Sequence, residues 1–207
     1  MTEYFKIHPV NPQHRLLERA ASMVREGAVI VYPTDSSYAL GWHIGDKSAL
    51  ERVRRVRQTE RDHDFTLVCR DLSAIANYAR VDNWAYRLLR SLTPGPYTFI
   101  LRATHEVPKR LQDPKRRSIG IRVPGNTIAQ ALLDELGEPI MSSTLLLPGE
   151  EIPLTDPEEI KDRLQKAVDL VLDGGSGGVE PTSVLDLSRD GVSILRRGKG
   201  DVSAFED

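Results

Sequence analysis

The chain has 207 residues, 40% of them hydrophobic, enough to bury a full core as one domain spanning residues 1–207. A formal net charge of -2 excludes a histone-like nucleic-acid binder, so any contact with a polyanion has to be local. The single cysteine, Cys69, excludes an intrachain disulfide. No run approaches the ~20 apolar residues of a bilayer span, and the first ten residues lack a signal-like apolar core, which makes a cytoplasmic location the expectation and removes membrane roles.

In chain order, Asn11-Pro12 offers a cap and a first-turn proline, and Leu16, Leu17, Ala20, Met23 and Val24 recur at helical spacing until Gly27. Residues 28–32 predict a buried strand. The run breaks at Pro33 into Thr34-Asp35-Ser36-Ser37 and resumes as Tyr38-Ala39-Leu40-Gly41, so a rigid element carries hydroxyls and a carboxylate to its own end. A second helix bears Ala49, Leu50, Val53 and Val56 on one face, and Arg52, Arg54, Arg55, Arg57 and Arg61 cluster along it. At 100° per residue Arg57 falls inside the apolar sector, so either the helix has ended or its guanidinium points inward to a partner. Anion binding fits Arg57 and Arg55, whereas Arg52, Arg54 and Arg61, beside Glu51 and Glu60, read as a solvated face.

Residues 65–69 read as a strand, 71–79 and 82–91 as helices behind aspartate caps, and 98–102 as a strand after the rigid turn Thr93-Pro94-Gly95-Pro96. Strand 118–123, turn 124–126, helix 127–136 and strand 139–143 follow. Strand alternation puts Arg122 on one face with Gly120 and Pro124, where it needs an acceptor, either a carboxylate at the core edge or a ligand. Met141-Ser142-Ser143-Thr144 supplies three hydroxyls that ordinarily satisfy backbone and become functional only in a pocket shared with the arginines. Thr155-Asp156-Pro157-Glu158 has capping-box spacing and opens a helix to about residue 166. Residues 168–172, 184–187 and 193–196 read as closing strands. Gly174 to Gly178 lacks the P-loop lysine and reads as a flexible loop. The alternation predicts an α/β class with a single mixed sheet and flanking helices.

His8, His14, His43, His63 and His105 show no zinc-type spacing, and Cys69 reads as a core residue. Lys109, Arg110, Lys115, Arg116 and Arg117 form a basic patch without interleaved aromatic residues, which does not indicate stacking on single strands and leaves phosphate contact to a folded RNA open.

Pro33-Thr34-Asp35-Ser36-Ser37-Tyr38-Ala39-Leu40-Gly41 resembles a PTE-x-x-YGLG segment, and Arg55-Val56-Arg57 a K-x-R pair. Thr93-Pro94-Gly95-Pro96-Tyr97-Thr98-Phe99 is similar to W-P-G-P-x-T-F, and Gly120-Ile121-Arg122-Val123-Pro124 to x-x-R-V-P. With Thr182-Ser183-Val184-Leu185-Asp186 and Ile194-Leu195-Arg196, these segments resemble, in order and over nearly the whole chain, the YrdC/YciO family of threonylcarbamoyl-AMP synthases that feed tRNA modification. The YciO branch is the closest, sharing Asp for Glu and Ala for Gly in the first segment.

The resemblance implies a twisted sheet with a broad, concave basic cleft that binds ATP, magnesium (Mg2+) and L-threonine, and a surface for double-stranded RNA. It implies that Thr34 contacts the threonine and Arg122 pairs with its carboxylate. Arg55 and Arg57 would hold the triphosphate, and Ser142, Thr144, Ser183 and Arg196 would complete the nucleotide pocket. In the synthases, bicarbonate and threonine form a carbamate that attacks the ATP α-phosphate and releases pyrophosphate. Two departures predict weakened ATP use with the fold intact: Leu146 replaces the asparagine of S-x-S-A-N-x-S-G, and Arg55 replaces the lysine of K-x-R. Two alternatives stay open, a protein that binds tRNA or duplex RNA without synthesis, and a hydrolase removing the threonylcarbamoyl group from tRNA. No general base stands out; Asp35, the nearest carboxylate, reads as a turn or cap residue.

Overall fold

A computed structural model describes residues 1–59 and 65–206; Glu60, Arg61 and His63 therefore lie outside the described residues. The described strands are β1 (Glu3–Lys6), β2 (Ile30–Tyr32), β3 (Ala39–His43), β4 (Thr66–Val68), β5 (Ala79–Arg80), β6 (Tyr97–Ala103), β7 (Ser118–Arg122), β8 (Ile140–Thr144), β9 (Leu170–Asp173), β10 (Ser183–Asp186) and β11 (Ser193–Arg196). The helices are α1 (His14–Arg25), α2 (Lys47–Arg57), α3 (Leu72–Tyr78), α4 (Asn83–Leu92), α5 (Thr127–Leu136) and α6 (Pro157–Arg163). Among the described residues the strands form one mixed sheet in the order β1-β9-β2-β3-β8-β4-β7-β6-β10-β11, with β5 pairing β6. Parallel pairs (β1/β9, β2/β9, β4/β7, β6/β10) are interspersed with antiparallel ones, which makes the sheet mixed. No described helix is long and apolar enough to cross a membrane.

Side-chain alternation divides the core into two layers. Val31, Leu40, Leu67, Phe99, Ile121 and Leu185 bury on one face. Ile30, Tyr32, Ala39, Val68, Ile140 and Leu170 bury on the other, against Leu17, Ala20 and Val24 of α1 and Ile128, Leu132 and Leu136 of α5. That second apolar layer reaches β9, β2, β3, β8 and the end of β4, and stops there. Beyond it the same face carries polar residues. Register aligns Ser142, Thr66, Gly120 and Ile100 in a row across β8, β4, β7 and β6, and this row floors the candidate site.

Several expectations need correction. α1 starts at His14, and its cap position, Gln13, makes no capping bond. The Gln13 side chain instead accepts from the His8 N–H at 2.9 Å, and the Asn11 N–H donates to His8 Nδ1 at 3.0 Å, so Asn11-Pro12 belongs to a turn. α6 is capped by Asp156 rather than Thr155 and ends at Arg163, and Asp82 makes no side-chain capping bond to α4. β9 is not a closing strand but lies between β1 and β2, on the opposite side of the sheet from the β10–β11 hairpin. The glycine loop is tied down: Gly174 N–H donates to Tyr38 Oη at 3.0 Å, the Tyr38 hydroxyl donates to the Gly175 carbonyl at 2.6 Å, and Gly177 N–H donates to the Thr155 carbonyl at 2.8 Å. A Cβ on Gly178 would sit 2.2 Å from the Ser36 carbonyl, so only glycine allows this loop to lie on the segment after β2.

Candidate functional site

Where α1 and α5 leave the sheet uncovered, a cavity of about 530 Å³ opens over β8, β4, β7, β6 and β10. Three guanidinium groups enter it from distant parts of the chain, Arg57 from the last position of α2, Arg122 from the end of β7 and Arg196 from the end of β11. Among the described residues, Glu151 is the only carboxylate in its lining.

Arg57 does lie on the inward side of its helix. Its Nη1 donates to Ser143 Oγ at 2.7 Å and to the Thr144 carbonyl, while Nε is buried without a hydrogen-bond partner. Burial lowers its pKa from the ordinary guanidinium value, since the charged form loses hydration. Arg122 is 7% exposed. Its Nη2 donates to the Asp35 carboxylate, its Nη1 to Ser36 Oγ at 3.2 Å, and its Nε is likewise buried and unpaired. The acceptor that strand alternation demands is thus the core-edge carboxylate of Asp35, which lies behind Arg122 rather than in the cavity lining. Arg196 donates through Nε to the Thr182 carbonyl at 2.8 Å and through Nη2 to Thr182 Oγ1 at 2.9 Å. Thr182 Oγ1 in turn lies 2.8 Å from Thr98 Oγ1. Desolvation first, and the charge of Arg122 second, lower the Arg196 pKa, so the two cations feel one another across the cavity. Ser142 Oγ lies 2.7 Å from the buried Tyr32 hydroxyl, whose pKa burial pushes up to about 12.

Of the residues expected in a site, Arg57, Arg122, Arg196, Ser142 and Thr144 line this cavity together. Three do not. Arg55 is exposed, with Nε 3.4 Å from the Glu51 carbonyl. Residues two apart on a helix are separated by about 200°, so Arg55 and Arg57 cannot both face inward. Ser183 is fully buried, donates to the Gly200 carbonyl and accepts from the Gly198 N–H at 3.0 Å. Strand alternation presents Thr182 and Val184 to the cavity instead. Thr34 spends its hydroxyl locally, donating to the Ser37 carbonyl at 2.7 Å and accepting from the N–H groups of Ser36 and Ser37 at 3.1 and 3.2 Å. It reaches the site only through Ser36, whose Oγ lies 3.0 Å away.

Sequence reasoning passed over Ser37, Thr66, Thr98 and Thr182, all of which line the cavity. The signal for Thr66 and Thr98 was present, since each interrupts an apolar strand on the parity of Gly120 and Arg122. Gly120 keeps the floor low: a Cβ there would come within 3.3 Å of Thr98 Cγ2. Leu146 is part of the wall, and Val179 and Leu195, 45% and 54% exposed, form an apolar lip. Magnesium finds no protein cage, because no group of three or more His, Cys, Asp or Glu side chains is placed for a metal among the described residues. The residues present do not fit a protein-held ion.

Farther along the same strands a second, open depression of about 960 Å³ collects Arg80, Arg102, Lys109, Lys115, Arg117 and Arg189, all exposed. Arg102 Nε donates to the Ser188 carbonyl at 2.8 Å, and Arg116, also in the lining, lies 3.4 Å from Asp186. Arg110 turns away to the Gly45 carbonyl at 3.0 Å.

Comparison with known proteins adds independent findings. The Sua5_yciO_yrdC family model, described as "Telomere recombination", matches residues 22–198. The chain is 57% identical over 205 residues to the uncharacterized protein YciO of Escherichia coli (strain K12), covering 99% of this chain and all of that one. The crystal structure of E. coli YciO matches with a TM-score of 0.95 at 57% identity, covering 100% of each chain. Identity to the threonylcarbamoyl-AMP synthase of Vibrio vulnificus (strain YJ016) is 25% over 186 residues, 88% of this chain and 98% of that protein. The crystal structure of P. abyssi Sua5 complexed with L-threonine matches with a TM-score of 0.85 over 95% of this chain and 58% of that one. At 23% identity that last likeness bears on the fold alone.

Proposed function

The chain belongs to the Sua5/YciO/YrdC family, and from that premise we propose that its cavity binds L-threonine and an adenine nucleotide, as in a threonylcarbamoyl-AMP synthase with a weakened hold on ATP. The observation that carries this reading is the convergence of Arg57, Arg122 and Arg196 with the Ser142 and Thr144 segment around one hollow. Guanidinium forks match carboxylate and phosphate oxygens, and buried cations need no reorganisation to meet charge that builds up during reaction. In this reading Arg57 and Arg196 take phosphate oxygens, Arg122 directs the threonine carboxylate, and the serine and threonine hydroxyls hold the nucleotide. A carbamate formed from bicarbonate and the threonine amine with loss of water attacks the α-phosphorus through a carboxylate oxygen, the bond to the pyrophosphate oxygen breaks, and pyrophosphate leaves with its electron pair. Magnesium arrives with the triphosphate rather than with the protein.

Pyrophosphate release with ATP, L-threonine and bicarbonate is the assay. It should fall to background in Arg57→Ala, and release indifferent to that change would remove the phosphate role.

Two placements favour a second reading, hydrolysis of the threonylcarbamoyl group from tRNA. The Leu146 side chain offers the wall no hydrogen bond, and Arg55 stays outside the cavity, so two groups expected to grip a triphosphate are missing while Arg122 remains in the lining. The basic depression would then hold RNA phosphates, tRNA or duplex. Incubation with modified tRNA should deplete the modification in this case, and an unchanged tRNA would eliminate it.

A further inference from the structure

Asp35 stands out because its loop does not use it. The Thr34 hydroxyl already satisfies the N–H groups of Ser36 and Ser37, which is the work of a turn residue. The Asp35 carboxylate instead spans 87 and 90 residues of sequence, with Oδ1 accepting from Arg122 Nη2 and Oδ2 from the Gly125 N–H at 2.7 Å. Its backbone carbonyl accepts from Lys199 Nζ. Side-chain exposure is 8% for Arg122 and 14% for Asp35, so neither charge has much water to neutralise it and each depends on the other.

The other two cavity cations are served differently. Arg57 donates to a hydroxyl and a carbonyl, and Arg196 to a carbonyl and a hydroxyl. Those partners orient a guanidinium without cancelling its charge. Among the described residues, Arg122 is the one of the three that forms an ion pair with a carboxylate. We propose that Asp35 is a built-in counter-ion of Arg122, a positioning residue that fixes the direction of this guanidinium while lowering the cavity's pull on anions. Arg57 and Arg196 then supply the net attraction, and Arg122 supplies aim. An anion approaching Arg122 meets the Asp35 charge at once, and tight binding requires a ligand whose remaining oxygens lie toward Arg57 and Arg196.

The proposal rests on the reading that the cavity takes an anionic ligand, and it is tested with a generic one, inorganic pyrophosphate, by calorimetric titration. Asp35→Asn and Asp35→Ser, both neutral, should bind pyrophosphate roughly tenfold more tightly than the parent, the scale of one hydrogen bond to a charged group. Asp35→Glu, still charged, should show no gain. Adding Arg122→Gln to Asp35→Asn leaves no unpaired charge and should erase the gain, a coupling that a merely structural loop residue would not produce. Thermal melts establish that each variant is folded, and the serine variant stands in if the asparagine one is not. Unchanged or weaker binding in the neutral variants overturns the proposal, as does a gain that survives Arg122→Gln. Should pyrophosphate behave as expected while neither ATP nor L-threonine binds, the functional reading fails and the counter-ion role stands.

Discussion

The cavity and the basic depression lie on one face of one sheet, a few residues apart along β6 and β7, yet they hold their cations in opposite ways. In the cavity, Arg57 and Arg122 are partly or wholly buried, fixed by hydrogen bonds to Ser143, Thr144, Asp35 and Ser36, and each keeps one buried N–H unpaired. In the depression the cations are exposed to solvent. A buried, immobilised cation selects an anion by shape, whereas an exposed one attracts any phosphate and yields to salt. The same residue type is therefore held in place at one end of the strands and left in water at the other.

The sharpest break in this comparison is Arg122→Leu. It strands the Asp35 carboxylate without its partner, a loss of about 3 to 5 kcal/mol in urea unfolding, whereas Arg117→Ala in the depression should stay within about 0.5 kcal/mol. Similar small losses at both sites would erase the distinction. Next in size is Leu146→Asn, which restores a polar group to the wall and should raise ATP affinity roughly tenfold without altering the melting temperature. No gain would mean that the apolar wall does not limit nucleotide binding.

Alkaline pH tests the buried side again. Tyr32 and Tyr38 are both raised to about 12 by burial, so the unfolded chain loses these protons first. Their contribution to stability is complete below pH ~10 and drains away as pH climbs toward ~12, where the folded state also ionises. Tyr32→Phe should flatten the unfolding profile over that window; an unaltered slope would contradict the assignment. The smallest effect is expected outside the cavity. Replacing Lys115 and Arg117 by alanine should reduce the slope of log affinity against log salt for duplex RNA by about one for each phosphate contact removed, with pyrophosphate binding in the cavity unaffected.

Local signals made part of this legible in the sequence. α5 begins and ends at the expected residues because Asn126 accepts from the N–H groups of Ile128 and Ala129, and Gly137 stops the helix in the left-handed region at φ 70°. Helical geometry put Arg57 in the apolar sector but left open whether the helix had ended there; the bonds to Ser143 and Thr144 decide for the inward position. What depended on partners far away in sequence was not legible. The position of β9 beside β1 and β2 arises from pairing across the whole chain, and β1, half-exposed at the sheet edge, carries little apolar periodicity. In the site, the family pairing of Arg55 with Arg57 conflicts with the helix on which both sit, and Ser183 carries the wrong strand parity for a cavity that Thr182 reaches. The need of Arg122 for an acceptor was legible, as either a carboxylate or a ligand, but only the tertiary structure identifies the partner as Asp35.

Calorimetric titration of L-threonine and of ATP, separately, into the parent protein and Arg57→Ala addresses the shared cavity most directly. Saturable binding to the parent, with ATP the weaker ligand and its binding lost in the variant, is the expected result. Binding of neither ligand, or ATP binding untouched by the loss of Arg57, would contradict it.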